Sequence, residues 1–404
     1  MKTSPLSPLE GGRIFQLDMM RGLAILGILL VNIMNFQYGL LLQPEIHQFY
    51  PLGAIDRLTE GFLYLFVKTS FYTLFSFLFG YGMVLLQERT ELKGTNFTGM
   101  YWRRALLLLV LGILHRTYIW EGDILFTYAL TSFVFFFFLY FKGKGLLISA
   151  LIFLGIMGLS VLGANIDDTA ASEYQDAIIY EYSVAEKEVL ENGSYVDVLQ
   201  FRFTADITGF GLFGDIILEI TTILTVIGMF LLGAYVARKQ WLLQVQEKKS
   251  FFKKIWFVTL IIGFGAKLPY VLSTSYFSEA LMTYIGGPFT AIFYATSIVL
   301  LASTEKGKKL LTPLTYVGRL SLTNYLLQSV VFTTLFYGYG VGLFGQLGFF
   351  VGTLIAIVFF IVQIFISKLW LTYFIIGPVE WFWRAGTYFI IPKFKKEHKK
   401  NLSS

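Results

Sequence analysis

Cysteine is absent from the 404 residues, which excludes disulfides, thiol nucleophiles and thiolate metal sites and leaves the redox compartment unmarked. Histidine occurs three times only, scattered as His47, His115 and His398, so neither a metal nor a tightly bound cofactor is expected. Charge is thin as well: 14% of residues are Asp, Glu, Lys or Arg, against about 25% in a soluble domain. That deficit excludes a disordered chain, a nucleic-acid-binding arm and an ordinary soluble enzyme. Nine prolines leave long stretches free to be helical. A phosphate loop between strand and helix is lacking, since neither GRIFQLD nor FGYGM has the required spacing and setting. A cleaved signal peptide is not expected, because the first apolar run follows a 20-residue polar leader and has no small-residue cleavage site.

What the chain does have is apolar surface. Hydrophobic residues make up 56%, with 42 Phe and 24 Tyr, and the mean hydropathy is +0.66. The apolar runs are continuous rather than alternating, which disfavours barrel strands and predicts membrane helices of about 20 residues each. Ten spans are expected, at 22–41, 61–86, 105–120, 124–141, 145–163, 216–237, 255–273, 283–302, 320–338 and 347–375. The fold class is therefore all-α, a polytopic membrane protein with a helical bundle of about ten spans.

Lys and Arg set the orientation. With the N-terminus inside, the inner segments 1–20, 88–104, 142–144, 238–254, 303–319 and 376–404 hold 24 of the 32 basic residues. The outer segments hold Arg57, Lys187 and Arg202, with Arg116 at the outer end of its span, while Arg21 borders the first span and Lys68, Lys267 and Lys368 fall within spans. Both termini are expected in the cytoplasm. Three parts follow: an N-terminal half 1–163, an acidic external segment 164–215 and a C-terminal half 216–404. The acidic segment carries eleven carboxylates against two cations and contains AIIYEYSVAEKEVL, patterned as an amphipathic helix. Either a solvated face, or a lid or cation-attracting vestibule at the outer mouth, would account for it.

Ionisable groups inside a membrane are costly and mark candidate sites. His115 lies twelve residues after Arg103, about 18 Å along a helix. Only Glu121, Gly122 and Asp123 join its span to the next, so HRTYIWEGD places His115 near two carboxylates at a shallow, wet hollow. A His oriented by Asp123 or Glu121 is suited to act as a general base toward a hydroxyl or amine. The competing reading is a packed His and an Asp that caps a helix. At the inner face, Asp18 and Arg21 share one helical side, and Glu380 and Arg384 stand four apart as a local ion pair. Arg319 opens a stripe with Ser321, Asn324 and Gln328, which either joins helices or lines a pocket. If Arg21, Arg319 and Arg384 converge, they form a site for a phosphate-bearing ligand. Gly80 and Gly82 are expected at a close helix crossing.

Several of these stretches resemble a known family. RIFQLDMMRGLAILGILLVNIMNF (13–36), FYTLFSFLFGYGM (71–83), LLGILHRTYIWEGDILFTYAL, VGRLSLTNYLLQSVVFTTLFYGYGVGLFG (317–345) and GPVEWFWRAGTY (377–388) are similar to the YeiB-like bacterial membrane proteins, a family named for a domain of unknown function. The opening D-x-x-R-G, here Asp18 and Arg21, also resembles that of the transmembrane acyltransferases. That resemblance implies transfer of an acyl group from cytoplasmic acyl-CoA, as co-substrate, to an envelope acceptor through a membrane-embedded histidine. His115 matches the YeiB-like H-x-x-x-x-W-x-G-D, whereas His47 lies where the lysosomal acyltransferase has its histidine. On this reading His115, Asp123 and Glu121 are the catalytic candidates, and Asp18, Arg21, Arg319, Asn324, Gln328, Glu380 and Arg384 the donor-binding ones. The alternative is a transporter or lipid-binding protein that uses the same groups without covalent chemistry. Membrane lipids and a second copy in a homodimer are the expected partners, and nucleic acid is not.

Overall fold

Small residues decide how the main helices approach one another. Gly80 lies against the backbone of Phe230, and Gly233 against the backbone of Phe77, so a Cβ at either place would collide with main chain. Gly22 lies against Leu314 and Gly318 against the Asp18 carbonyl in the same way. Helices in lipid associate through such close contact rather than by hiding apolar surface from water. Gly82 plays another part, with the Arg21 guanidinium as its nearest neighbour.

The computed structural model describes residues 13–40, 50, 52–164 and 169–396. Its elements are α1 Phe15–Tyr38, α2 Ala54–Phe66, α3 Ser70–Leu92, α4 Phe97–Tyr118, α5 Leu125–Phe138, α6 Gly143–Gly163, α7 Thr169–Asn192, α8 Tyr195–Thr204 and α9 Gly211–Arg238. They continue with α10 Lys249–Leu272, α11 Tyr276–Leu281, α12 Gly287–Ala302, α13 Glu305–Arg319, α14 Ser321–Phe336, α15 Phe349–Tyr373 and α16 Pro378–Tyr388. A π-turn joins α11 to α12. An isolated bridge between Phe374 and Lys395 is the one β-type pairing among the described residues. The protein is an all-α, multi-pass membrane protein.

Eight helical runs among the described residues are long and apolar enough to cross a membrane. The expected spans 124–141 and 320–338 appear instead as α5 and α14, of 14 and 16 residues. At 1.5 Å per residue they reach about 21 and 24 Å, short of a hydrocarbon core of about 30 Å. Both are embedded in protein, α5 against α4 and α9 and α14 against α1 and α16, with α14 also hydrogen-bonded to α15. The expected short span at 105–120 is in fact the 22-residue α4, which starts at Phe97 behind an Asn96 cap. Arg103 and Arg104 therefore lie within its first turns rather than ahead of it.

The expected span 61–86 is also redrawn. Residues 54–92 would make a rod of about 58 Å, too long for one crossing. The run breaks at Thr69, held at φ 67 in the left-handed region. Lys267 of α10 is fully buried and donates to the Lys68 carbonyl at 2.5 Å and to Ser70 Oγ at 2.6 Å. Its ammonium satisfies backbone freed by the break, so α3 alone has membrane length and α2 is a separate helix.

The acidic segment has a solvated face, with Asp176, Glu181, Glu188, Asp197, Asp206 and Asp215 exposed, and a packed face opposite it. Tyr182, Glu186, Leu190 and Val198 of α7 and α8 are buried, and Glu186 accepts from Leu40 N through both oxygens at 3.0 and 3.1 Å. Gly338 N, just past α14, donates to the Leu190 carbonyl at 2.8 Å. These helices form a roof tied to the ends of α1, α4 and α14.

Candidate functional site

The hairpin between α4 and α5 is anchored by Trp120, which is fully buried and lies 4.4 Å from the Phe36 ring. Gly112 lets α5 come down against α4, because a side chain there would strike the backbone at Phe126. This closeness brings His115, in the last turn of α4, to Asp123, ahead of α5. Their separation is 2.8 Å from Nδ1 to Oδ1, with both side chains fully excluded from solvent.

Asp123 does both things its sequence context allows. Its Oδ2 accepts from Phe126 N at 2.7 Å and caps α5, while Oδ1 faces the imidazole. The Tyr325 hydroxyl of α14 donates to the same Oδ1 at 3.4 Å, and its ring lies 5.2 Å from that of His115. In the neutral ring, with Nδ1–H donated to the carboxylate, Nε2 carries the lone pair. That Nε2 is buried and has no hydrogen-bond partner among the described residues. Where a shallow, wet hollow is expected, the His115 and Asp123 side chains are closed off from solvent among the described residues, and α8 lies against the end of α4.

Glu121 does not orient His115. Its carboxylate faces Arg202 of α8 at 3.8 Å, and burial pushes it above the usual range against the pull of Arg202 and Arg116. Arg116 instead pairs with Glu219 of α9 at 3.5 Å. His47 and His398 lie outside the described residues.

At the opposite end the arginines converge. A cavity of about 210 Å³ is lined by Arg13, Arg21, Arg104, Arg319 and Arg384, with Glu380 among them. Asp18 is buried behind it and accepts from Arg13 and, at 3.2 Å, from Arg21. Arg104 stacks on Trp383, its guanidinium carbon 3.9 Å from the ring centroid. Five guanidiniums thus face two carboxylates. The Nε atoms of Arg104 and Arg319 are buried without a hydrogen-bond acceptor among the described residues. Burial, followed among the lowering influences by the neighbouring Arg13, pulls the Arg319 and Arg384 guanidiniums below their ordinary value. Such donors suit a multiply charged anion such as phosphate.

The expected pair of Glu380 with Arg384 is replaced by a cap. Glu380 accepts from Leu322 N and Thr323 N at 2.8 and 3.0 Å, fixing the start of α14. The polar stripe on α14 divides. Ser321 lines the cavity, but Asn324 donates to Ser367 Oγ at 3.1 Å and Gln328 to Gln363 Oε1 at 2.8 Å, tying α14 to α15. Asn324 and Gln328 thus stand outside the arginine cavity, because their side of α14 faces α15. Arg13 and Arg104 belong to the cavity but were not among the expected site residues. Arg13 sits in the polar leader, and Arg104 reads as an ordinary interface anchor.

From the arginines the cavity runs along an apolar wall that includes Ile25, Ile28, Phe79 and Leu108, and it ends at Ile124, Leu125, Tyr128 and Tyr325. Tyr325 therefore touches both halves, the cavity on one side and the Asp123–His115 pair on the other.

These features define a polytopic membrane protein with a cationic cavity at one end and a buried His–Asp pair beyond its far wall. Residues 236–390 match a protein family of unknown function, DUF418. The chain is 35% identical to the uncharacterized protein YxaH of Bacillus subtilis (strain 168), covering 95% of this chain and 97% of that one. It is 33% identical to the uncharacterized protein YeiB of Escherichia coli (strain K12), over 92% and 95% of the two chains. An uncharacterized 39.9 kDa protein of Bacillus acidopullulyticus is 29% identical over 93% and 94%. The chain belongs to the YeiB-like family. No solved structure matches it.

Proposed function

We propose that the protein is a membrane-embedded acyltransferase of the bacterial cytoplasmic membrane, with cytoplasmic acyl-CoA as donor and an extracytoplasmic hydroxyl or amine as acceptor. One observation carries this reading: the arginine-lined cavity ends at Tyr325, whose hydroxyl contacts the Asp123 that holds His115. The phosphates of the donor would lie among Arg21, Arg104, Arg319 and Arg384, with Asp18 holding Arg21 and Arg13 in place.

The thioester arm would follow the apolar wall toward Tyr325. His115 Nε2 takes the proton from the acceptor hydroxyl or amine as its oxygen or nitrogen attacks the thioester carbonyl. The new acyl bond forms, the C–S bond breaks, and the imidazolium returns its proton to the departing thiolate as CoA-SH. Asp123 keeps Nδ1 protonated and steadies the imidazolium.

The test is purified full-length protein with a panel of labelled acyl-CoAs, comparing wild type with His115→Ala. Binding at micromolar concentration, with transfer or hydrolysis that His115→Ala abolishes, is the expected result. Neither binding nor turnover by the wild type would end the enzyme reading. Activity that survives His115→Ala but is lost in His47→Ala would move the base to the first outer loop.

A further inference from the structure

The roof contributes to the site. An α-helix leaves its last carbonyls without intrahelical donors, and those groups are expensive away from water. At the end of α4 the His115 carbonyl is served twice, by Ile119 N and Trp120 N, each at 2.9 Å. The carbonyls that follow are served by α8. Arg202 Nη1 donates to Thr117 O and Nη2 to Ile119 O, both at 3.2 Å, and the Tyr195 hydroxyl donates to Tyr118 O at 2.7 Å. The Arg202 side chain is 4% exposed and also faces Glu121, so one guanidinium grips the end of α4 and the first residue of the hairpin beyond Trp120. A cation at a helix C-terminus is favourable in its own right. Asp197 and Ser194 close a reciprocal cap at the start of α8, which fixes the helix carrying Arg202.

His115 projects from the turn that Arg202 holds, and Asp123 stands two residues beyond Glu121. Both members of the pair thus hang from a hairpin whose geometry is set from the acidic segment. We propose that Arg202 is a positioning residue for His115, acting through the α4 carbonyls and Glu121 to keep Nδ1 on Asp123 and Nε2 unprotonated. This rests on the reading of His115 as the general base, but its test does not require turnover.

Because the chain has three histidines, a ¹⁵N-histidine spectrum of the full-length protein in lipid nanodiscs is simple to assign, with His47→Gln and His398→Gln identifying the other two. At a pH of about 8, above the ordinary imidazole range, wild-type His115 should show one tautomer, protonated at Nδ1. Arg202→Ala should replace it by a mixture of tautomers, and Arg202→Lys, which restores one cationic donor, should recover part of the single form. Tyr195→Phe removes one surface hydrogen bond and should shift the His115 signals in the same direction by less. Lys187→Ala, which breaks a pair with Glu191 elsewhere on the roof, should leave them unchanged.

If transfer activity is found, Arg202→Ala should lower kcat about 10²-fold, as expected for a small misplacement of reacting groups, with the donor KM unchanged. Should Arg202→Ala fail to fold, Arg202→Lys and Tyr195→Phe carry the test. Wild-type His115 signals in every folded variant would overturn the proposal. A tautomer change in a protein that neither binds nor turns over acyl-CoA would leave the positioning role standing and remove the acyltransferase.

Discussion

Asp123 accepts from an imidazole, a tyrosine and a backbone amide at once, so its replacement separates capping from chemistry. Asp123→Asn keeps an oxygen for the α5 amide but no longer compels Nδ1 protonation. We expect kcat for acyl transfer to fall about 10³–10⁴-fold with little change in donor KM, as for a catalytic dyad deprived of its orienting carboxylate. An equal rise in KM would instead place Asp123 in binding. At the other end Arg104→Gln removes a half-buried charge that stacks on Trp383. It should weaken acyl-CoA binding about 10- to 100-fold, the equivalent of one charged hydrogen bond of about 1.5–3 kcal/mol, read by calorimetry. These residues also mark where sequence reading stops. His115 and Asp123 are legible because a three-residue connection forces the ends of two helices together. Arg21, Arg319 and Arg384 stand out as cations at span ends. Arg104 does not, because a snorkelling anchor and a pocket-lining guanidinium have the same local sequence and differ only in what α16 places beside them.

Among the elements, the crossing of α3 with α9 is the most exacting, since Gly233 meets the backbone of Phe77 and Gly80 that of Phe230. Gly233→Val should lower stability by about 1–3 kcal/mol through overpacking, measured by denaturant unfolding in detergent. A neutral result would mean the two helices cross less closely. The α14–α15 connection makes a contrasting case. Asn324→Leu removes its hydrogen bond to Ser367 and should cost about 0.6–1.7 kcal/mol, the range for interhelical bonds in membranes. Acyl-CoA affinity should stay unchanged, because Asn324 faces α15 rather than the arginine cavity. Loss of binding without loss of stability would return Asn324 to the donor site. Hydropathy locates the long apolar helices here, yet it misses the break at Thr69, because Lys68, Thr69 and Ser70 interrupt the apolar run too briefly to lower its average. The break depends on Lys267, nearly two hundred residues away, supplying donors to Lys68 O and Ser70 Oγ.

Over the whole molecule, charge and geometry follow one axis. Residues 164–215 carry a net −9 while the whole chain is +6, and the five cavity arginines lie at the end away from the acidic roof. By the positive-inside rule the arginine end is expected to face the cytoplasm, the compartment that holds acyl-CoA, so orientation and donor identity form one claim. The lack of cysteine makes that claim direct to test. Single cysteines at two exposed positions, Glu181→Cys on α7 and Glu247→Cys just ahead of α10, need no background removal. A membrane-impermeant maleimide should label Glu181→Cys in intact cells and Glu247→Cys only after the membrane is opened. The reverse pattern would place Arg21, Arg104, Arg319 and Arg384 outside, where no acyl-CoA reaches them. The cavity would then require an external anion, and acyl transfer from the cytoplasm would be lost as the function, whatever His115→Ala does to binding.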